Sequence, residues 1–361
     1  MLRSTLRKNA GLIVLILIAL LIKVFSLYPE AVEKYYSNGI YVAIARVQRF
    51  VLGWIPFSAG DILYGAASVY LVVNMVRFVL RISRRQFNRP YVFNVMRRFI
   101  TISLLVYIWF NISWGLNYNR VKISSSLELR STAYTLEELT DIMQLLSARL
   151  NTLYPAAINA RPALQKKRTL FTEAIHTYKN LAEEHPQFEY ETRSLKPSLY
   201  SYLGNYLGFT GYYNPFTGEA QVNTTVPLYI RPFTTCHEIG HQLGYAKEIE
   251  ANMSAFLSAR KSENPAFRYS VYFDLYLYAR RYMSQMDSTR LKRLDSSLAQ
   301  GVRTDIKDLR AFFLSHANPI EVIIDRVYSQ YLRANEQPSG RATYNEVILL
   351  LISYRKKHGT I

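Results

Sequence analysis

Three stretches within the first 120 residues are too long and too apolar for the surface of a water-soluble domain. Residues 10–28 read "AGLIVLILIALLIKVFSLY", residues 61–80 "DILYGAASVYLVVNMVRFVL" and residues 99–119 "FITISLLVYIWFNISWGLNYN". Each has the length that a helix needs to cross a hydrocarbon layer. The first contains one charge, Lys23, near its end, where a long side chain can reach the interface. Bulky residues follow it ("SLYPEAVEKYY") and offer no small-residue cleavage site, so it is expected to stay as an anchor. Gly65, Ala66, Ala67 and Ser68 would let a neighbouring helix approach the second. Trp109, Trp114 and Tyr118 lie in the second half of the third, where an aromatic belt is expected. Residues 40–57 are also apolar, but Arg46 and Arg49 interrupt them; they read as an interfacial or packed amphipathic helix.

Charge placement sets the expected topology. Of the net +18, residues 1–120 carry most, with 15 Lys/Arg against 3 Asp/Glu. The N-terminal tail holds Arg3, Arg7 and Lys8. The segment joining the second and third spans, with its flanks, holds Arg77, Arg81, Arg84, Arg85, Arg89, Arg97 and Arg98 and no acid. Basic loops stay in the cytoplasm, which places residues 121–361 on the extracytoplasmic side of a cytoplasmic membrane. This placement argues against a nucleic-acid partner, because the basic excess belongs to membrane loops. The single cysteine, Cys236, forbids an intrachain disulfide. The expected division is therefore a membrane region at 1–120 and a second domain at 121–361.

That second domain reads as mostly helical. Thr135 with Glu138 forms a capping box ahead of a helix carrying Leu136, Leu139, Ile142, Met143 and Leu146. Residues 151–168 read as a polar connection containing Pro155, and residues 169–185 as a helix closed by Pro186. The Gly-, Tyr- and Thr-rich stretch 196–232 is the best candidate for β structure, with residues 220–226 a strand. Helical patterns resume from Phe233.

Residues 234–254 read "TTCHEIGHQLGYAKEIEANMS". His237 and His241 are four apart and share one side of a helix. Two imidazoles at that spacing suit one Zn²⁺, with Glu238 placed as general base for a metal-bound water. Gly244 lets the chain leave the helix, and a third ligand must follow. Glu248 as ligand with Asn252 holding a histidine ring satisfies helical phase; Glu250, ~200° round the helix, is the alternative. Cys236 reads as packed rather than catalytic.

"HEIGH…EIEAN" resembles the zincin metallopeptidases, in particular the gluzincin pattern of HExxH followed by ExxA(D/N). Integral-membrane gluzincins and repressor-cleaving metallopeptidases of mobile elements carry similar pairs. The resemblance implies a zincin-like α+β domain, one Zn²⁺ per chain, ligands His237, His241 and Glu248, base Glu238 and a peptide or protein substrate. Asn252 stands where many gluzincins have Asp, and the gap between the motifs is shorter. The whole layout, with "WGLNYNR", "NPFTGEAQVN" and a C-terminal "SYRKKHG", is also similar to an uncharacterised bacterial family of membrane-anchored proteins.

The resemblance adds an edge strand at residues 218–226 for substrate pairing, where Asn223 either touches substrate or closes a turn. A transition-state electrophile is eligible at Tyr212, Tyr213, Tyr245, His316 or Tyr344. No Gly-rich phosphate loop and no serine nucleophile elbow is present. The competing expectation is a non-catalytic membrane assembly or sensor protein with a structural or inactive zinc site.

Overall fold

A computed structural model describes residues 2–86, 88–129, 133–191, 193–337 and 344–361, with side chains from residue 10 onward except those of 344 and 345. Helix α1 spans Leu2–Phe25. The chain then turns, and a π-helical stretch Val32–Ile40 runs into α2, Tyr41–Gly53. Helix α3 is Ala59–Ser83 and α4 is Arg89–Ser113. Among the described residues, α3 and α4 are each long and apolar enough to cross a membrane. The pair Ala10–Phe25 and Pro29–Gly53, bent by 101°, makes a third candidate.

The amphipathic helix expected at residues 40–57 is present as α2. Its buried face is Tyr41, Ala45 and Arg49, continued from Val32 and Tyr36 in the π-helical stretch before it. The five-residue step from Tyr36 to Tyr41 falls in the π-helical turn, which keeps both tyrosines inward. Its opposite face exposes Val47, Phe50, Val51 and Trp54. The third span ends earlier than expected. Helix α4 stops at Ser113, and residues Gly115–Asn119 form a buried 3-10 turn. Trp114 and Tyr118 are thus not a membrane belt. They pack edge-on, ring centroids 5.0 Å apart, because each has a partner in the domain: Trp114 Nε1 donates to the His241 carbonyl, and Tyr118 meets Tyr331. One buried cluster joins Val32, Tyr36, Tyr41, Trp114, Leu116 and Tyr118 to Ala246, so packing crosses the division expected at residue 120.

The remaining helices are α5 (Leu136–Ala160), α6 (Lys167–Glu184), α7 (Ser201–Leu207), α8 (Arg231–Gln242), α9 (Glu248–Ala259), α10 (Pro265–Met286), α11 (Ser288–Ser297), α12 (Gln300–His316), α13 (Pro319–Ala334) and α14 (Tyr344–His358). The capping box at Thr135 and Glu138 opens α5. That helix runs through Pro155 rather than ending before it, because Leu150, Ala157 and Leu164 on both sides are fully buried and tertiary packing overrides propensity. Helices α5 and α10 pack together over the core, where Tyr178, Tyr269, Tyr276, Phe267 and Phe273 are fully buried.

Three short strands complete the fold: β1 (Leu195–Pro197), β2 (Gly211–Asn214) and β3 (Glu219–Val222), in the order β1-β3-β2. Strand β3 is parallel to β1 and antiparallel to β2. The stretch expected to be an edge strand is therefore the middle one, wholly buried and paired on both sides; the edge beside the helices is β2. Residues 201–207, also expected as β structure, are helical.

The sheet fastens α2 and α3 to the rest of the fold through charge at helix ends. Glu219 on β3 accepts from the backbone N–H groups of Ala59 (3.1 Å) and Gly60 (2.5 Å), the free donors at the start of α3. Lys196 on β1 donates to the carbonyls of Gly53 and Ile55 beyond the end of α2. Asp61, in the first turn of α3, accepts from the Leu199 N–H at 2.7 Å and from the Tyr212 hydroxyl. The start of α3 and the end of α4 thus lie on the domain side, and the arginine-rich segment between them lies at the far end.

Candidate metal centre

Helix α8 carries His237, Glu238 and His241 in buried surroundings. It ends at Gln242, and the chain turns at Gly244, whose φ of +84° suits glycine and where a Cβ would come within 2.9 Å of Tyr41. The reversed chain then enters α9 at Glu248, so the start of α9 faces the histidines.

His237 Nε2 lies 3.3 Å from Glu248 Oε2, and His241 Nε2 lies 3.8 Å from Glu248 Oε1. The three donor atoms fall within 4.8 Å of one another. Donors bound tetrahedrally at about 2.0–2.2 Å from a shared centre sit about 3.3–3.6 Å apart, so this looser set could hold a metal ion after the side chains draw in. The far sides of both rings are fixed: His237 Nδ1 meets Asn252 Oδ1 at 2.8 Å, and His241 Nδ1 meets the Tyr245 carbonyl at 2.8 Å. Both partners are acceptors, so each Nδ1 donates outward, and Nε2, which in His237 faces Glu248, is the nitrogen turned toward the centre. Glu250 faces elsewhere. Its Oε1 accepts from the Ile123 N–H at 3.2 Å, and burial raises its pKa.

Electrostatics tie the cluster together. Burial pulls His237 down, but its hydrogen bond to Glu248 and the charge of that carboxylate outweigh burial and hold it at about 9. Burial and the charge of His237 lower His241 to about 4. Burial pushes Glu248 up, yet the histidines overcome it and hold the carboxyl at about 2. Glu238 is raised to about 8 by burial, with His237 opposing and Glu248 reinforcing the shift. Its Oε2 is buried without a hydrogen-bond partner.

These residues line a cavity of about 1110 Å³. Tyr212 and Tyr213 also line it, and Tyr212 is already bonded to Asp61 and Ser198. The Tyr245 ring points into the core, stacked on Phe188 with Arg120 over it, and only its carbonyl serves the site. His316 packs on Tyr206 and Phe312, away from the cavity. The Tyr344 side chain lies outside the described residues. Asn223 closes a turn: its Oδ1 accepts from the Thr225 N–H at 2.9 Å, and its Nδ2 donates to Asn205 and to the Phe209 carbonyl. Both ends of the amide are thus engaged within the protein, and Asn223 is not among the residues lining the cavity. Cys236 is buried against Thr177, and burial raises its thiol to about 11.

Four site residues escaped the sequence reading. Tyr328 on α13 donates to Glu248 Oε1 at 2.8 Å. Asp274 on α10 lines the cavity with Oδ2 buried and unpartnered, and burial raises its pKa well above the carboxylate range. Trp114 holds the His241 carbonyl. Gly211 on β2 lies so close to Glu238 that a Cβ would sit 2.7 Å from Oε1. None lies in a local pattern that marks it.

A family model matches residues 36–352. The chain belongs to that family, described as a protein of unknown function (DUF3810). No curated protein and no solved structure matches. The matched span takes in α3, α4, the sheet and every residue of the cluster. Family membership therefore covers the two long apolar helices and the candidate site together.

Proposed function

We propose that the protein is a zinc-dependent metallopeptidase anchored in the cytoplasmic membrane, with its N-terminus inside and its site outside. The observation that carries the reading is the convergence of His237, His241 and Glu248 with Glu238 beside them. Two imidazoles and a carboxylate with one position left open are the donor set of a hydrolytic zinc site. A bound zinc ion supplies Lewis acidity, which makes water a nucleophile at neutral pH and polarises the scissile carbonyl.

The protein's own groups do the rest. Asn252 and the Tyr245 carbonyl hold the histidine rings in the ligating tautomer. Tyr328 fixes the Glu248 carboxylate. Glu238 takes a proton from the attacking water and returns it to the leaving amine; a cation at the cluster would favour the ionised carboxylate that this task needs. Of the two edge strands, β2 is the one beside Glu238, and its Gly211 leaves room for an extended peptide backbone there. The orientation rests on the arginines between α3 and α4.

The test is hydrolysis of a mixed peptide library by detergent-purified full-length protein, read as new termini by mass spectrometry. The reading expects cleavage that a chelator stops and zinc restores. Cleavage indifferent to chelator would refute it.

A further inference from the structure

The cavity that holds the cluster is not closed off from the membrane helices. Its wall includes Tyr64 on α3 and Ser103, Val106, Tyr107 and Phe110 on α4. Ser103 lies ten residues before the end of α4 at Ser113. At 1.5 Å per residue that is about 15 Å down the helix, or half the thickness of a hydrocarbon layer. One continuous space thus runs from Glu238 to the middle of a membrane-spanning helix. An aqueous peptide does not need such a wall, since its own approach would be from the water side.

The elements flanking the cavity on the domain side carry the same signature. Helix α13 lines the cavity with Ile324, Tyr328 and Tyr331, while its outer face exposes Ile320, Ile323 and Val327. Helix α7 contributes Leu203 and Leu207 to the lining and exposes Tyr202 and Leu203. Phe110 of α4 meets Tyr331 of α13 edge-on, with ring centroids 6.4 Å apart, so the membrane helix and the domain share this wall. Apolar side chains exposed beside spanning helices are stable against lipid and costly in water.

We infer that the site takes its substrate from the bilayer: the occupant of the cavity is the membrane-embedded segment of a polypeptide, which is cut where it emerges beside Glu238. An apolar segment gains by moving from lipid to this wall only through packing and backbone pairing, and β2 offers the latter at the inner end. This inference rests on the peptidase reading, but entry from the bilayer can be measured without catalysis.

The experiment uses full-length Glu238→Gln protein in phosphatidylcholine vesicles. The probe is a peptide with a Leu/Ala span of about 20 residues, followed by a photoreactive benzophenone residue and a polar tail. The same tail without the span is the control. The anchored probe should cross-link to cavity residues of α4, α7 and α13, mapped by mass spectrometry, and the free tail should not. Ser103→Trp and Val106→Trp fill the membrane-side wall at exposed positions, so the helix tolerates them. They should cut the cross-link by about tenfold, whereas Leu20→Trp on the outer face of α1 should not. Equal labelling by both probes, labelling indifferent to the two cavity substitutions, or labelling confined to lipid-facing positions would each overturn the inference. The two readings separate: cross-linking without any proteolysis removes the peptidase reading alone, and cleavage of soluble peptides as fast as anchored ones removes bilayer entry alone.

Discussion

His237 Nε2 and Glu248 Oε2 lie 3.3 Å apart although they belong to different helices. The turn at Gly244 makes that approach, and it singles out one glutamate of two. Glu248→Gln should lose bound metal, whereas Glu250→Gln should retain it, since Glu250 is spent on the Ile123 N–H. Metal content of the two purified variants decides between them. Loss of metal in the Glu250 variant alone would reassign the third ligand.

Asn252 fixes His237 from behind. Removing such a group weakens metal binding about 10–100-fold without removing a ligand. Asn252→Ala should therefore show that weakening in competition with a chelating dye, and Asn252→Asp should restore tight binding. An unaltered affinity in the alanine variant would show that the ring needs no such hold.

Gly211 and Glu238 approach too closely for a side chain between them. Gly211→Ala should displace the Glu238 carboxylate, lowering kcat on peptide by about 10²-fold while metal content stays at the wild-type level. A fall in metal content together with activity would indicate general damage to the fold instead.

Burial raises the Asp274 carboxyl well above its usual range. The native state then binds a proton that the unfolded chain releases, so this group lowers stability as pH rises through the ordinary carboxylate range and costs nothing below it. Asp274→Asn should melt at or above the wild-type Tm at neutral pH, and the two curves should converge in acid. Thermal melts in detergent with chelator across pH 3–8 check the sign.

The local part of the site was legible from sequence. His237, Glu238, His241 and Gly244 lie within one helix and its exit, where spacing fixes direction, and helical phase preferred Glu248. Longer-range partners were not. Tyr328 reaches Glu248 across 80 residues, and one tyrosine among 29 carries no marker. Strands of three or four residues are too short for alternation to show, so the pattern across 196–232 does not separate β3 from the helix at 201–207, and the edge position came from the resemblance alone. The apolar run 99–119 hid a helix end, because Trp114 and Tyr118 are as apolar beneath a domain as within a bilayer.

Cys236 sits at the centre of the motif yet belongs to the core, its thiol raised to about 11 by burial. It should resist maleimide in the native protein and react in full once unfolded; rapid native labelling would contradict the packing of α8 against α6.

The most direct measurement pairs wild-type protein with Glu238→Gln. Both are purified at full length, assayed for zinc by mass spectrometry and tested for peptide hydrolysis. The account predicts about one zinc per chain in both, with hydrolysis in the wild type and a loss of about 10³-fold or more in the variant. A wild-type protein that binds no zinc, or a variant that cleaves as well as the wild type, would contradict it.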